Sequence, residues 1–140
     1  MAVFTLHAQL AQDTYVVGRF ELCQVLLMDD RLYPWVILVP QRANIREVYE
    51  LSPQEQSILI QESSFLAQQM ALKFSADKLN IATLGNIVPQ LHLHHIVRFR
   101  NDAAWPTPVW GKHPRLPYSA QAAATRVQEL QSLLHSKLLT

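Results

Sequence analysis

The stretch Gln90-Leu91-His92-Leu93-His94-His95-Ile96-Val97-Arg98-Phe99 constrains the fold more than any other part of the chain. Its apolar and polar residues alternate with a period of two, which a strand sorts onto opposite faces and a helix would smear around its circumference. One face then carries Gln90, His92, His94, Ile96, Arg98 and, one step further, Arg100. The other carries Leu91, Leu93, His95, Val97 and Phe99. The second face is apolar apart from His95 and has to be buried against something, so His95 is read as a core residue satisfied by one hydrogen bond. The first face is polar and partly cationic, so it is the face for chemistry.

Elsewhere the pattern supplies partners for such a strand. Thr14 to Val17, Leu22 to Met28 and Tyr33 to Val39 are β-prone runs punctuated by Gly18, Asp29-Asp30, Pro34 and Pro40, and are predicted as strands. Ser52-Pro53-Gln54-Glu55 combines an N-cap serine, a proline at the first helical position and a glutamate three residues after the cap. A helix starts there, with Ile58, Leu59, Phe65, Leu66 and Met70 as its apolar stripe, fading by Ser75. Lys78 to Leu84 and Leu91 to Phe99 follow as two strands, expected to pair antiparallel through a short connection around Gly85-Asn86. The segment Trp105 to Gly111 holds two prolines and is an ordered loop or a loose tail. Ser119 to Leu138 closes the chain as a helix, with Ala123, Val127, Leu130, Leu134 and Leu138 at helical steps. Strands flanking and following a helix define an α+β class, with helices packed on a mainly antiparallel sheet. One domain is expected across residues 1–140, with its core at about 14–111 and the last helix at about 119–138.

Composition narrows the partners. Twelve basic against eleven acidic residues leave a net charge of +1, too little for the broad basic field that duplex nucleic acid requires. The longest apolar run, near Val36 to Val39, is far too short to cross a bilayer, and the N-terminus lacks a basic stretch followed by an apolar core. No membrane association and a cytoplasmic location are therefore expected. The single cysteine, Cys23, sits among Leu22 and Val25 and is read as a buried, inert thiol.

The polar strand face suits an anionic substrate. Arg presents forked donors to phosphate oxygens, and His can act near neutral pH. A neutral imidazole is also a nucleophile, and attack on phosphorus would divide a displacement into two steps through a covalent phosphoramidate. The second histidine could exchange the leaving-group proton, an effect worth about a hundred- to ten-thousand-fold in rate. A solvent-exposed polar strand is the bland alternative. A metal site is disfavoured because His92 and His94 lack a third ligand: the nearest acid is Asp102, and Glu129 lies in the last helix. No metal and no cofactor are expected.

The run Gly85-Asn86-Ile87-Val88-Pro89-Gln90-Leu91-His92-Leu93-His94-His95-Ile96-Val97 resembles, without a gap, the signature of the histidine-triad (HIT) family. Trp35-Val36-Ile37-Leu38-Val39-Pro40-Gln41-Arg42 is similar to the family's strand ending in Pro and basic residues, and Trp105-Pro106 to a pair found in one branch. The resemblance covers most of residues 14–111 and implies the HIT-like fold, a five-stranded, mainly antiparallel sheet with a central helix and a C-terminal helix. It further implies a nucleoside phosphate bound against the sheet, with His92 attacking the α-phosphorus to give a nucleotidyl-histidine that water resolves. His94 matches the third motif histidine, and Gln90 stands at the first, where it can hydrogen-bond but not exchange a proton at neutral pH. By the same resemblance Asn86 lies near the phosphates, Asp29 or Asp30 near the ribose, and Ile87 replaces a hydroxyl residue. Arg98 would supply compensating charge, and Asn80 would face the site from the preceding strand. The family also implies a twofold homodimer.

Two functions follow. The first is a nucleotide hydrolase or nucleotidyl transferase acting on a nucleoside phosphate, a phosphoanhydride such as a dinucleoside polyphosphate, or a phosphoramidate. The second is a nucleotide-binding regulatory module whose chemistry has decayed with Gln90 and Ile87.

Overall fold

The computed structural model describes residues 2–140. Five strands form one sheet: β1 (Thr14–Arg19), β2 (Cys23–Met28), β3 (Trp35–Pro40), β4 (Lys78–Ala82) and β5 (Leu93–Arg98). Their order is β1-β2-β3-β5-β4, and every neighbouring pair is antiparallel. Three helices accompany them, α1 (Ala8–Asp13), α2 (Pro53–Phe74) and α3 (Ala120–Leu133). This is the expected α+β architecture, with β5 inserted between β3 and β4. Among the described residues no helix is long and apolar enough to cross a membrane.

The sheet is covered on both sides, by different material. Val25, Leu27, Val36, Leu38, Leu93 and Val97 point to the side where α2 contributes Leu59, Leu66 and Met70, and α3 contributes Leu130 together with its C-cap Leu134. Leu26, Trp35, Ile37, Val39 and Ile96 point the other way, into a cluster closed by Leu10 of α1, Val88, Ala104 and Val109. Because both sides are sealed, all six residues of β3 and all six of β5 are buried. The predicted polar strand face is thus roofed by loops rather than open to solvent.

Local chemistry explains the helix ends. Ser52 Oγ accepts the Glu55 N–H at 3.1 Å while Glu55 Oε1 accepts the Ser52 N–H at 3.0 Å, the reciprocal cap read from the sequence. Ser75 ends α2 in the left-handed region, at φ 53°. Glu62, buried on α2, accepts the Leu22 and Cys23 amides at 2.8 and 3.0 Å and pins the helix to the start of β2. Burial first, and then Glu62, push the Cys23 thiol far up, so this buried cysteine stays protonated and inert.

Three boundaries differ from expectation. The helix expected over 119–138 ends at Leu133 and continues as turns, so that Leu138 folds back onto Gly18, where a Cβ would lie 3.1 Å from Leu138 Cδ2. The connection between β4 and β5 spans 83–92, not a tight turn, because Gly85 at φ 76° and Pro89 divert the chain outward. The third is α1, six residues capped by His7 Nδ1, which accepts the Gln9 N–H at 3.0 Å. It lacks a long apolar stripe, which is why periodicity does not announce it.

Candidate functional site

His92 ends the 83–92 connection and His94 lies on β5, where its Cα pairs with Ile37 on β3 and Ala82 on β4. Their rings meet edge-on with centroids 4.9 Å apart. Both are only 6% exposed. They line a cleft of about 410 Å³, a size suited to a small organic ligand, floored by Met28 and Ile37, with Leu84 to Val88 on one side and Gln9, Leu10 and Asp13 of the N-terminal segment on another. Trp110 completes the lining.

The ring nitrogens are fixed by their partners. His92 Nδ1 lies 2.7 Å from the Gln90 carbonyl oxygen. A carbonyl only accepts, so Nδ1 carries the proton and Nε2 keeps its lone pair. His94 Nδ1 lies 3.0 Å from Trp35 Nε1, and an indole N–H only donates, so here Nδ1 is the acceptor and Nε2 carries the proton. Both rings are held neutral. Burial lowers His92 most, against the Gln90 carbonyl, which raises it, with His7 adding to the lowering. Burial, assisted by His92 and His95, brings His94 down to about 3. Such a pair presents one nucleophilic lone pair and one neutral N–H donor.

His95 points away from the cleft. It is fully buried beneath α2, where its Nε2 meets Ser63 Oγ at 2.7 Å, and burial lowers it to about 4. This is the core role expected of it.

The remaining expected site residues divide. Asn86 lines the cleft, and Ile87 does too while remaining 90% exposed. Gln90 directs its side chain elsewhere: Oε1 accepts the His7 N–H at 2.8 Å and Nε2 donates to the Thr5 carbonyl at 2.9 Å. Its side chain therefore latches the N-terminal segment that walls the cleft, and it is the backbone carbonyl of Gln90 that serves His92. Side-chain catalysis by Gln90 does not match this placement.

Arg98 and Asn80 also differ from expectation. Arg98 is 1% exposed and held from three sides: Nε and Nη2 donate to the Asp102 carboxylate at 2.8 and 3.0 Å, Nη1 to Asn80 Oδ1 at 2.7 Å, and Nη2 also to the Thr107 carbonyl at 2.9 Å. Four of its five N–H donors are thus taken within the protein, the buried side chain does not line the cleft, and Asn80 Oδ1 is committed to it. Asp102 in turn accepts the Phe99, Ala104 and Trp105 amides. Burial alone would raise its carboxyl, but Arg98 and these amides outweigh it and hold it at about 2. The node builds the 101–110 loop, with its cis Trp105–Pro106 bond, and so seats Trp110 on His94 at 5.1 Å between ring centroids. Of the two forms open to the two-proline segment 105–111, the structure has the ordered loop.

Asp29 accepts the Tyr118 N–H at 2.9 Å, a long-range tie to the segment before α3, and Asp30 accepts the Leu32 N–H at 3.0 Å in a local turn; neither lines the cleft. The acid that does line it is Asp13, which the sequence pattern does not single out. Trp35 and Trp110 were likewise missed as site residues. The legible signal for Trp35 was its place two residues before Ile37 on the same strand face; for Trp110 there was none, because loop closure over the sheet brings it in. Among the described residues no group of three or more His, Cys, Asp or Glu could hold a metal ion.

Comparison with known proteins agrees with this geometry. Residues 9–101 match the model of the HIT domain. A histidine triad protein from Marinobacter aquaeolei VT8 is 52% identical, with 97% of this chain and 99% of that one covered at a TM-score of 0.94. A histidine triad protein from Bradyrhizobium japonicum is 41% identical over 99% of this chain and 100% of its own, at a TM-score of 0.89. A hypothetical histidine triad nucleotide-binding protein from Sulfolobus tokodaii shares the fold, with a TM-score of 0.68, 14% identity, and 88% and 85% of the two chains covered. No curated protein matches significantly in sequence. The matched histidine strand, the five-stranded sheet around it and the close full-length relatives place the chain in the HIT domain family.

Proposed function

We propose that this protein is a nucleotide hydrolase or nucleotidyl transferase that acts on a nucleoside phosphate, phosphoanhydride or phosphoramidate through a covalent nucleotidyl-His92. The observation that carries the reading is the orientation of His92. With Nδ1–H held by the Gln90 carbonyl, Nε2 meets the cleft with a free lone pair on a neutral ring.

In the first step the Nε2 lone pair attacks phosphorus, a P–N bond forms, and the bond to the leaving group breaks with its electron pair departing on that group. The ring becomes cationic, and the Gln90 carbonyl, already accepting the Nδ1 proton, stabilises the developing charge. In this reading the Nε2–H of His94 and the side chain of Asn86, which both line the cleft, are the donors to the phosphoryl oxygens. In the second step water attacks phosphorus, the P–N bond breaks with its pair returning to Nε2, and the excess proton passes to solvent. A different acceptor in place of water gives transfer. The apolar floor of Met28 and Ile37 suits the flat face of a base.

The free edge of β4, where Ile81 stays 48% exposed, supports pairing of two copies edge to edge as a homodimer. The decisive experiment for the reaction is mass spectrometry of the acid-quenched protein after mixing with a dinucleoside polyphosphate. A nucleotidyl adduct on His92 is expected. Steady turnover in a His92→Ala variant would remove the mechanism.

A further inference from the structure

We infer that Trp35 confines His94 to the role of a neutral hydrogen-bond donor, so that the cleft favours phosphoanhydrides, whose phosphate departs without a proton, over phosphoramidates, whose amine must take one up. The substrate preference rests on the nucleotidyl-transfer reading above; the assignment of Trp35 does not.

The geometry leaves His94 little choice. Trp35 Nε1 lies 3.0 Å from His94 Nδ1 in a buried environment, and the indole N–H cannot act as an acceptor. The Trp35 ring is itself fixed, meeting Tyr33 edge-on at 6.3 Å and Trp110 edge-on at 5.8 Å between centroids. It cannot readily swing away from Nδ1. The single proton of the neutral His94 ring therefore sits on Nε2, the nitrogen left to meet a ligand. To pass a proton on, His94 would first have to become an imidazolium, which places two N–H groups head to head at a buried contact. Giving up the Nε2 proton from the neutral ring would instead leave an imidazolate, out of reach near neutral pH.

The consequence falls on the leaving group. When His92 Nε2 attacks a phosphoanhydride, the P–O bond breaks with its pair on a phosphate oxygen, which is stable as an anion. His94 Nε2–H needs only to hydrogen-bond a phosphoryl oxygen. When the bond broken is P–N, the pair stays on an amine nitrogen that must be protonated as it leaves. His94 does not supply that proton, and general acid catalysis withheld from such a step is worth about a hundred- to ten-thousand-fold. Trp35 is thus a positioning residue that selects the leaving group through His94.

The test has two arms on the full chain. In the first, ¹⁵N-labelled protein is examined by long-range histidine NMR at neutral pH. His94 is expected as the Nε2–H tautomer and His92 as the Nδ1–H tautomer. Trp35→Phe, which keeps an aromatic ring but removes the donor, is expected to release His94 into a tautomer mixture, whereas Trp110→Phe leaves it as in the parent. A protonated Nδ1 on His94 in the parent chain, or an unchanged tautomer in Trp35→Phe, would overturn the assignment. In the second arm, kcat/KM is measured for a dinucleoside polyphosphate and for a nucleoside 5′-phosphoramidate. A ratio on the order of a hundred or more in favour of the anhydride is expected, narrowing in Trp35→Phe. Equal values for both substrates would overturn the preference. A chain that cleaves neither overturns the nucleotidyl-transfer reading and the preference with it, while the NMR arm decides the role of Trp35 by itself.

Discussion

The two sides of the sheet are equally buried and differently built. On one side α2 and α3 bring aliphatic side chains onto Val25, Leu27, Val36 and Val97; Glu62 accepts the Leu22 and Cys23 amides there, and Ser63 meets His95 Nε2, while His95 Nδ1 stays buried without a partner among the described residues. On the other side loops bring aromatic rings, backbone carbonyls and a buried ion pair, and the histidines there line a cleft instead of a closed core. Helices satisfy their own backbone and can seal a face with side chains alone. Loops cannot, so they carry polar groups inward, and the same groups that satisfy the loop also orient His92 and His94. His95 and His94 are adjacent in sequence, yet one is structure and the other is site, because a single step along a strand changes the covering layer.

That contrast can be broken in graded ways. His92→Ala should have the largest effect, lowering kcat/KM on the order of 10³-fold or more in a steady-state assay while leaving the thermal melt nearly unchanged. Asp102→Ala strands the buried Arg98 guanidinium, so urea denaturation should register a loss of about 3–5 kcal/mol. Tryptophan emission, to which Trp105 and Trp110 of the loop contribute beside Trp35, should shift as the loop loosens in the same variant. On the helix side Leu66→Ala should cost about 2–4 kcal/mol by urea melt, with kcat retained, because the cavity opens away from the cleft. If Leu66→Ala lowered activity as much as stability, the two sides would not be separable.

Acid sharpens the comparison from both sides at once. His94 and His95 sit at about 3 and about 4 when folded, against an ordinary 6.5. Below pH 6.5 the unfolded chain therefore binds protons that the folded chain refuses, and stability falls as pH drops toward about 4. Each group contributes a slope of up to about 1.4 kcal/mol per pH unit. Urea midpoints between pH 7 and pH 4.5 check this, and a flat profile would contradict burial of the two neutral rings. The smallest effect expected is that of Gln90→Ala, about 1 kcal/mol from two lost hydrogen bonds at a partly exposed latch. Because the Gln90 carbonyl remains, kcat should fall far less than in His92→Ala, while KM rises as the N-terminal wall loosens. Loss of activity equal to that of His92→Ala would return the Gln90 side chain to catalysis.

Much of the sheet was legible because alternation is a local property. Strands β1 to β5 each follow from a short run of residues, and α2 from the Ser52-Pro53 cap with Glu55. Within the site, the division of His92 and His94 from His95 also follows from period two. What was not legible depends on groups far apart in the chain. Arg98 looks like a free cation on a polar strand until the 101–110 loop folds back and Asp102, Asn80 and the Thr107 carbonyl take four of its five donors. Gln90 looks like a phosphate ligand until the N-terminal segment, more than eighty positions earlier, arrives to be held by it. Asp29 and Asp13 exchange places for the same reason: chain reversal decides which acid borders the cleft.

The sequence by itself determined the class of fold, the strand that carries the histidines and which of them share a face, since each depends on side-chain period and on caps a few residues long. Only the tertiary structure decided what those histidines can do. The proton positions of His92 and His94 are set by one carbonyl and one indole, and the indole comes from a strand paired across the sheet. A hydrogen bond between residues 35 and 94 leaves no trace in local periodicity, because it exists only once β3 and β5 lie side by side.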